Sequence, residues 1–285
     1  MHGFPKLEAA MTRLLYIFIS SVCLLSSPVF AEATYRFGVV PQFEPRKLAS
    51  IWLPILAELE KRTGFHLTMV GAARIPEFES EFENGRYDFA YMNPYHSIVA
   101  MRKQGYEPLV RDNGTQLSGI LAVAKDGPIK QLSDLGGKTV AFPAPNALGA
   151  SLLMRADLDR VHHLKISPLW SQTHTSAYLN VALGKADAAG GVMATFEQQP
   201  PAVRNKLKVL YETRPMPPHP VMAHPRVPTS DRDKLRQAFL DLGATSEGQA
   251  LLAKVPFKRI GAAKPEDYRD LAKWGLEDYY VQGSD

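Results

Sequence analysis

The chain has 285 residues, with 33 lysines and arginines against 29 acidic residues and a formal net charge of +4. That near balance argues against a nucleic-acid partner. The length suffices for one large domain or two smaller lobes.

The N-terminal stretch reads as a leader. Arg13 precedes an apolar run from Leu14 to Leu25, then come Ser26-Ser27-Pro28 and the small-x-small pattern Val29-Phe30-Ala31. This predicts a secretory signal peptide over residues 1–31, too short for a spanning helix. Met11 offers a second start, since a complete signal follows it. The alternative is a retained membrane anchor, but no stop-transfer flank follows. Cleavage would remove Cys23, the only cysteine, and with it any disulfide, thiolate nucleophile or sulfur-bound metal. With Lys6, Glu8 and Arg13 gone, 31 basic and 28 acidic residues of the 33 and 29 remain. No later stretch is apolar enough to cross a bilayer.

After the leader, Tyr35–Val40 predicts a strand, and Pro41-Gln42-Phe43-Glu44-Pro45 a turn. A helix follows over Arg46–Thr63 with Gly64 as its C-cap, and Pro54 predicts a kink or restart within it. Phe65–Val70 alternates as a strand, and Ile75–Asn84 is helical. Tyr87–Tyr91 is an aromatic-rich strand. Asn93-Pro94 then opens a helix that stops at Gly105, because Asn is a strong N-cap and Pro suits the first helical position. Strands are expected over Glu107–Arg111, Gly119–Lys125, Thr139–Phe142, Lys165–Trp170, Ala186–Val192 and Val209–Thr213. Helices are expected over 147–160, Ala177–Leu183, Ser230–Leu242, Ser246–Leu252 and Pro265–Lys273. Arg214–Pro220 is proline-dense and suits an extended crossover.

Strands alternating with helices imply an α/β fold with two mostly parallel sheets flanked by helices. One lobe is placed at residues 34–117 plus 214–285 and the other at 118–213. The chain would cross near Gln116–Ser118 and again near Thr213–Pro218.

Four turns would aim helix N-termini at the cleft between the lobes: Gln42-Phe43-Glu44, Asn93-Pro94-Tyr95, Asn146-Ala147-Leu148 and Thr173-His174-Thr175. Each offers backbone N–H donors and the positive end of a helix dipole, so several together can hold a small oxyanion without a lysine. Taken singly, each reads as a plain helix cap; the case rests on four in a recurring layout. The candidate ligand-binding residues are therefore Gln42, Phe43, Asn93, Tyr95, Asn146, Ala147, Leu148 and His174, with Ser118 at the first crossing. Tyr91 and Trp170 read as core. His174 could donate to a phosphoryl oxygen in either tautomer. No Gly-x-Ser-x-Gly, His-Glu-x-x-His or Walker loop is present, so no catalytic set, metal site or cofactor is indicated.

The pieces RFGVVPQFEP, GRYDFAYMNPYH, LSGILAVAKDGPIKQLSDLGGKTVAF, THTSAYLNVALGKADAAGGV and YETRPMPPHP, in that order, carry a resemblance. The chain resembles the periplasmic substrate-binding proteins of ABC importers for phosphonate, phosphite and related oxyanions. The resemblance implies a two-lobed periplasmic binding protein fold (type II-like) with a two-strand hinge. It also implies a periplasmic location, a membrane permease as partner and no catalysis. His174 matches the family's histidine at that helix start. Two departures stand out. Pro145-Asn146-Ala147-Leu148-Gly149 replaces the hydroxyl-rich turn of phosphonate binders, and Gly190-Gly191 replaces an acidic position. A sensory binding protein that signals to a membrane kinase or cyclase is the alternative. An exported hydrolase would need His174, Asp187 and Ser151 within mutual reach.

Overall fold

The structure is a computed structural model that describes residues 33–282; the expected leader, with Cys23, lies outside the described residues. In chain order the strands are β1 (Thr34–Val39), β2 (His66–Val70), β3 (Phe89–Tyr91), β4 (Glu107–Asp112), β5 (Gly119–Ala124) and β6 (Thr139–Phe142). They continue as β7 (Ser167–Trp170), β8 (Ala188–Val192), β9 (Leu207–Glu212), β10 (Val221–Ala223) and β11 (Ile260–Ala262). The helices are α1 (Pro45–Thr63), α2 (Ile75–Glu83), α3 (Pro94–Gln104), α4 (residues 148–161) and α5 (His174–Ala182). Then come α6 (Met193–Glu197), α7 (Pro201–Arg204), α8 (Thr229–Gly243) and α9 (Ser246–Leu252). The segment expected as a helix over Pro265–Lys273 is instead a pair of 3-10 turns, followed by a third at Leu276–Tyr279.

Helix limits follow local chemistry. α1 buries Leu48, Ile51, Trp52, Ile55, Leu56 and Leu59, a three-and-four spacing that puts one apolar stripe on the sheet. It ends at Gly64 with φ of 66°, a left-handed value that suits glycine. It also runs unbroken through Pro54, where a kink or restart was expected. Leu53 and Pro54 face solvent, so water can serve the carbonyl that a proline leaves unbonded. In α3, the Asn93 carboxamide oxygen accepts from the N–H groups of Tyr95 and His96, both at 2.9 Å.

Two sheets organise the chain, with the orders β11-β4-β10-β3-β1-β2 and β7-β6-β8-β5-β9. Both are mixed, which corrects the mostly parallel expectation. In the first, β1 pairs in parallel with β2 and β3, but β10 inserts antiparallel between β3 and β4, and β11 adds antiparallel to β4. In the second, β6 is parallel to β7 and β8, whereas β5 is antiparallel to β8 and β9. The cause is topological. β5 follows the first crossing and β10 the second, so neither enters its sheet through the helical crossover that parallel pairing with a neighbour needs. At the crossing, Leu117 and Met216 exchange both backbone hydrogen bonds at 2.9 Å, so two antiparallel segments join the sheets.

One apolar cluster joins α3, α4 and the tail. Tyr95 and Ile98 of α3 meet Leu148, Leu152 and Leu153 of α4, together with Met216 at the crossing and Tyr268, Leu271 and Leu276 of the tail. The first turn of α4 lies flush on the second sheet. A Cβ on Gly190 would stand 2.0 Å from the Ala150 carbonyl oxygen, and one on Gly119 2.0 Å from that of Gly149. Gly190→Ala should therefore lower stability by about 1–3 kcal/mol, the usual cost of overpacking, read from the urea or thermal midpoint.

Candidate functional site

The cleft holds two adjoining chambers. Gln42, Val192 and His219 line both. The smaller encloses about 20 Å³ among Val40, Ile75, Asn93, Ala147–Ala150 and His174, room for about one water. The larger encloses about 270 Å³. Phe43, Trp52, Tyr91 and Phe257 form its apolar wall, and Ser118 and Thr195 are among its polar edges.

The small chamber is built around the start of α4. Asn93 Nδ2 donates to the Asn146 carbonyl at 3.1 Å, and Arg155 Nη2 donates to the Pro145 carbonyl at 2.9 Å. The first helical bonds fall on Ala147, the N-cap, whose carbonyl accepts from Ser151 at 2.7 Å and Leu152 at 3.1 Å and whose side chain offers no cap. The turn widens into a π register over Leu148–Leu152. Among the described residues, the N–H groups of Leu148, Gly149 and Ala150 find no acceptor. These three residues line the chamber, and no charged side chain does.

His174 stands on the facing wall. Its Nδ1 lies 3.2 Å from the Thr195 hydroxyl, which sits 3.0 Å from the Tyr178 hydroxyl and donates to the Val192 carbonyl at 2.9 Å. Burial lowers the His174 pKa to about 4. His219 stacks on Tyr91 with ring centroids 5.3 Å apart, and its Nε2 lies 3.4 Å from Gln42 Nε2. Its pKa falls to about 3, mainly by burial, with smaller contributions from His96 and His174. Both imidazoles are thus neutral, and the chamber offers dipoles rather than charge.

The candidate residues separate into groups. Gln42, Asn93, Ala147, Leu148 and His174 meet at the small chamber, while Phe43 and Ser118 line the large one. Tyr95, expected beside them, packs into the bridging apolar cluster and lines neither chamber, because the α3 cap turns its ring toward α4. The Asn146 side chain also turns away. Its Nδ2 donates to Glu79 Oε2 at 3.1 Å and to the Val281 carbonyl at 2.8 Å, and its Oδ1 accepts from the Val281 N–H at 2.9 Å. It clasps the lobes and the tail together. Trp170, read as core, is 43% exposed because β7 is an edge strand. Sequence reasoning missed Thr195 and Val192, which carry no motif and lie at the junction of β8 with the short helix α6. It also missed the tail, where Tyr279 donates to Asp159 at 2.5 Å and Tyr280 to Glu83 at 3.2 Å. The three groups of a hydrolase are not assembled: Ser151 accepts from Arg155 at 3.3 Å, and Asp187 accepts from the Thr139 N–H at 3.0 Å.

The buried histidines predict acid sensitivity. Their folded pKa values lie below the ordinary 6.5, so the unfolded chain takes up protons that the folded chain cannot. Their full contribution is present above pH 6.5 and is lost as pH falls toward about 4 for His174 and about 3 for His219. Within that window each histidine adds a slope of up to about 1.4 kcal/mol per pH unit. Urea unfolding at a series of pH values should give a shallower acid limb for His219→Gln than for the natural chain.

A family model described as "ABC transporter, phosphonate, periplasmic substrate-binding protein" matches residues 37–268. The phosphonates-binding periplasmic protein of Escherichia coli is 24% identical over 275 residues, covering 88% of this chain and 80% of the relative. The phosphate-import protein PhnD of Mycolicibacterium smegmatis is 27% identical over 173 residues, 54% of each chain. The solved structure of PhnD1 from Prochlorococcus marinus in complex with methylphosphonate superposes with a TM-score of 0.78 at 15% identity, covering 87% of this chain and 99% of that one. The fold is that of the two-lobed binding proteins, and the chain belongs to the periplasmic substrate-binding protein family of phosphonate ABC transporters.

Proposed function

We propose that this chain captures a small phosphorus oxyanion, such as phosphonate, phosphite or phosphate, in the cleft between its lobes and delivers it to the membrane permease of an ABC importer. The lobes are residues 34–117 with 214–285, and residues 118–213. The leader over residues 1–31 would send the chain to the periplasm. Family membership supports the transport role and the permease partner.

The observation that carries the ligand class is the start of α4. Three N–H groups, of Leu148, Gly149 and Ala150, lack acceptors beside a chamber with no charged wall. Such a set holds an anion by oriented dipoles alone, as helix N-termini commonly do. Backbone thus replaces the missing hydroxyls of the Asn146–Leu148 turn. Gln42, Asn93, Ala147, Leu148 and His174 would surround the oxyanion head, and the larger chamber beyond Phe43 and Ser118 would take any organic substituent. A chamber of about 20 Å³ must widen on loading, and rotation about the paired segments at Leu117 and Met216 supplies that movement.

Calorimetric titration of the chain from Thr34 onward with phosphate, phosphite and methylphosphonate tests the reading, with sulfate and acetate as controls. Saturable 1:1 binding of at least one phosphorus oxyanion is expected. Binding of none, or equal binding of acetate, would overturn it.

A further inference from the structure

The hydrogen bonds behind His174 fix which of its nitrogens carries the proton. Three hydroxyl or imidazole hydrogens must be placed among Tyr178, Thr195 and His174, and the Val192 carbonyl can only accept. The Thr195 hydroxyl donates to Val192 at 2.9 Å. Its oxygen then has two lone pairs left, one facing the Tyr178 hydroxyl at 3.0 Å and one facing His174 Nδ1 at 3.2 Å. This arrangement uses all three hydrogens. The reverse, with Thr195 donating to Nδ1, trades the 2.9 Å bond to Val192 for a longer one of 3.3 Å from the Tyr178 hydroxyl, and so gives up the Tyr178–Thr195 bond: it makes two bonds where the first arrangement makes three. Nδ1 is therefore the protonated nitrogen, and Nε2 presents a bare lone pair to the chamber that His174 lines.

The chamber is consequently two-sided. The N–H groups of Leu148–Ala150 donate from one wall, and His174 Nε2 accepts from the other. A doubly charged tetrahedral oxyanion would set an oxygen lone pair against that lone pair. A singly charged one, still carrying an O–H, would donate to it. We propose that His174, held as an acceptor by Thr195, makes this protein select the monoprotonated, singly charged form of its phosphorus oxyanion. The inference rests on the oxyanion reading above.

The surroundings agree. Neither a carboxylate nor a cation lines the chamber to favour a second negative charge or to protonate the imidazole. The titratable group facing His174 across the chamber is His219, which is itself neutral, and the amides of Gln42 and Asn93 complete the wall. His96, a third imidazole nearby, is engaged with Glu79 at 2.8 Å. Thr195 is a positioning residue, acting on the ligand only through the imidazole.

The test compares methylphosphonate with dimethylphosphinate at about pH 5 and about pH 9, which bracket the second ionisation of phosphate-type groups. Methylphosphonate affinity should fall about tenfold per pH unit above that ionisation, as one-proton linkage requires. Dimethylphosphinate, singly charged at both values but without an O–H, should bind weakly and independently of pH. Affinity that is flat or rises with pH, while methylphosphonate still binds, overturns this inference alone. Failure of every phosphorus oxyanion at every pH overturns the oxyanion reading and this inference with it. Long-range ¹H–¹⁵N spectra of the histidines supply a ligand-free readout. His174 should appear as the Nδ1–H tautomer, and an Nε2–H signature would contradict the proposal. Thr195→Val should populate Nε2–H and flatten the pH dependence; unchanged behaviour in that variant would contradict the positioning role.

Discussion

The hydrogen bond from Asn93 Nδ2 to the Asn146 carbonyl, 3.1 Å long, is the constraint on which the cleft depends. It ties the two sheets together, since Asn93 follows β3 of the first and Asn146 precedes α4, which lies on the second. It also turns the Asn146 carbonyl out of α4, as Arg155 does for Pro145. The first N–H groups of α4, orphaned as at any helix start and given no side-chain cap by Ala147, stand at the chamber wall. A single buried carboxamide thus caps one helix with its oxygen and holds the chain just before a second with its nitrogen. Unpaired buried donors are costly, and the proposed oxyanion would supply the acceptors that these three lack.

Around that bond the structure separates closure from recognition. Closure is the work of Glu79, Asn146, the tail at Val281 and the apolar cluster of Tyr95 with Leu148, Leu152 and Leu153. In the proposed reading, recognition falls to backbone N–H groups, Gln42 and two neutral histidines, which line the small chamber. Residues that look like ligand contacts from their place in a turn, Tyr95 and Asn146, are on the closure side. The small number of charged groups near the head chamber suits a transport protein, which must release what it binds.

Much of the element order was legible in the sequence because its signals are local. Asn93-Pro94 with Gly105 bounds α3, and Gly64 ends α1. The antiparallel pairing of β10 was not legible. Three residues after a proline-dense run carry no period, and only the two neighbouring strands make them a strand. Trp170 misled for a similar reason: an alternating strand reads alike at the edge and at the centre of a sheet. Within the site, His174 could be found from its place between a strand and a helix. The role of Thr195 could not, since it depends on four groups from β8, α5 and α6 meeting through space. The uncapped start of α4 was legible in outline, since the Asn146-Ala147-Leu148 turn has no hydroxyl to cap it, but the bond that holds the turn, from a residue 53 positions away, was not.

The central claim is that backbone N–H groups of α4 hold an oxyanion. Amide spectra of ¹⁵N-labelled protein, titrated with a phosphorus oxyanion, address it directly. The account predicts that the Leu148, Gly149 and Ala150 amide protons move downfield together, more than other amides, and saturate with one equivalent. Saturable binding that leaves those three amides unmoved would contradict it.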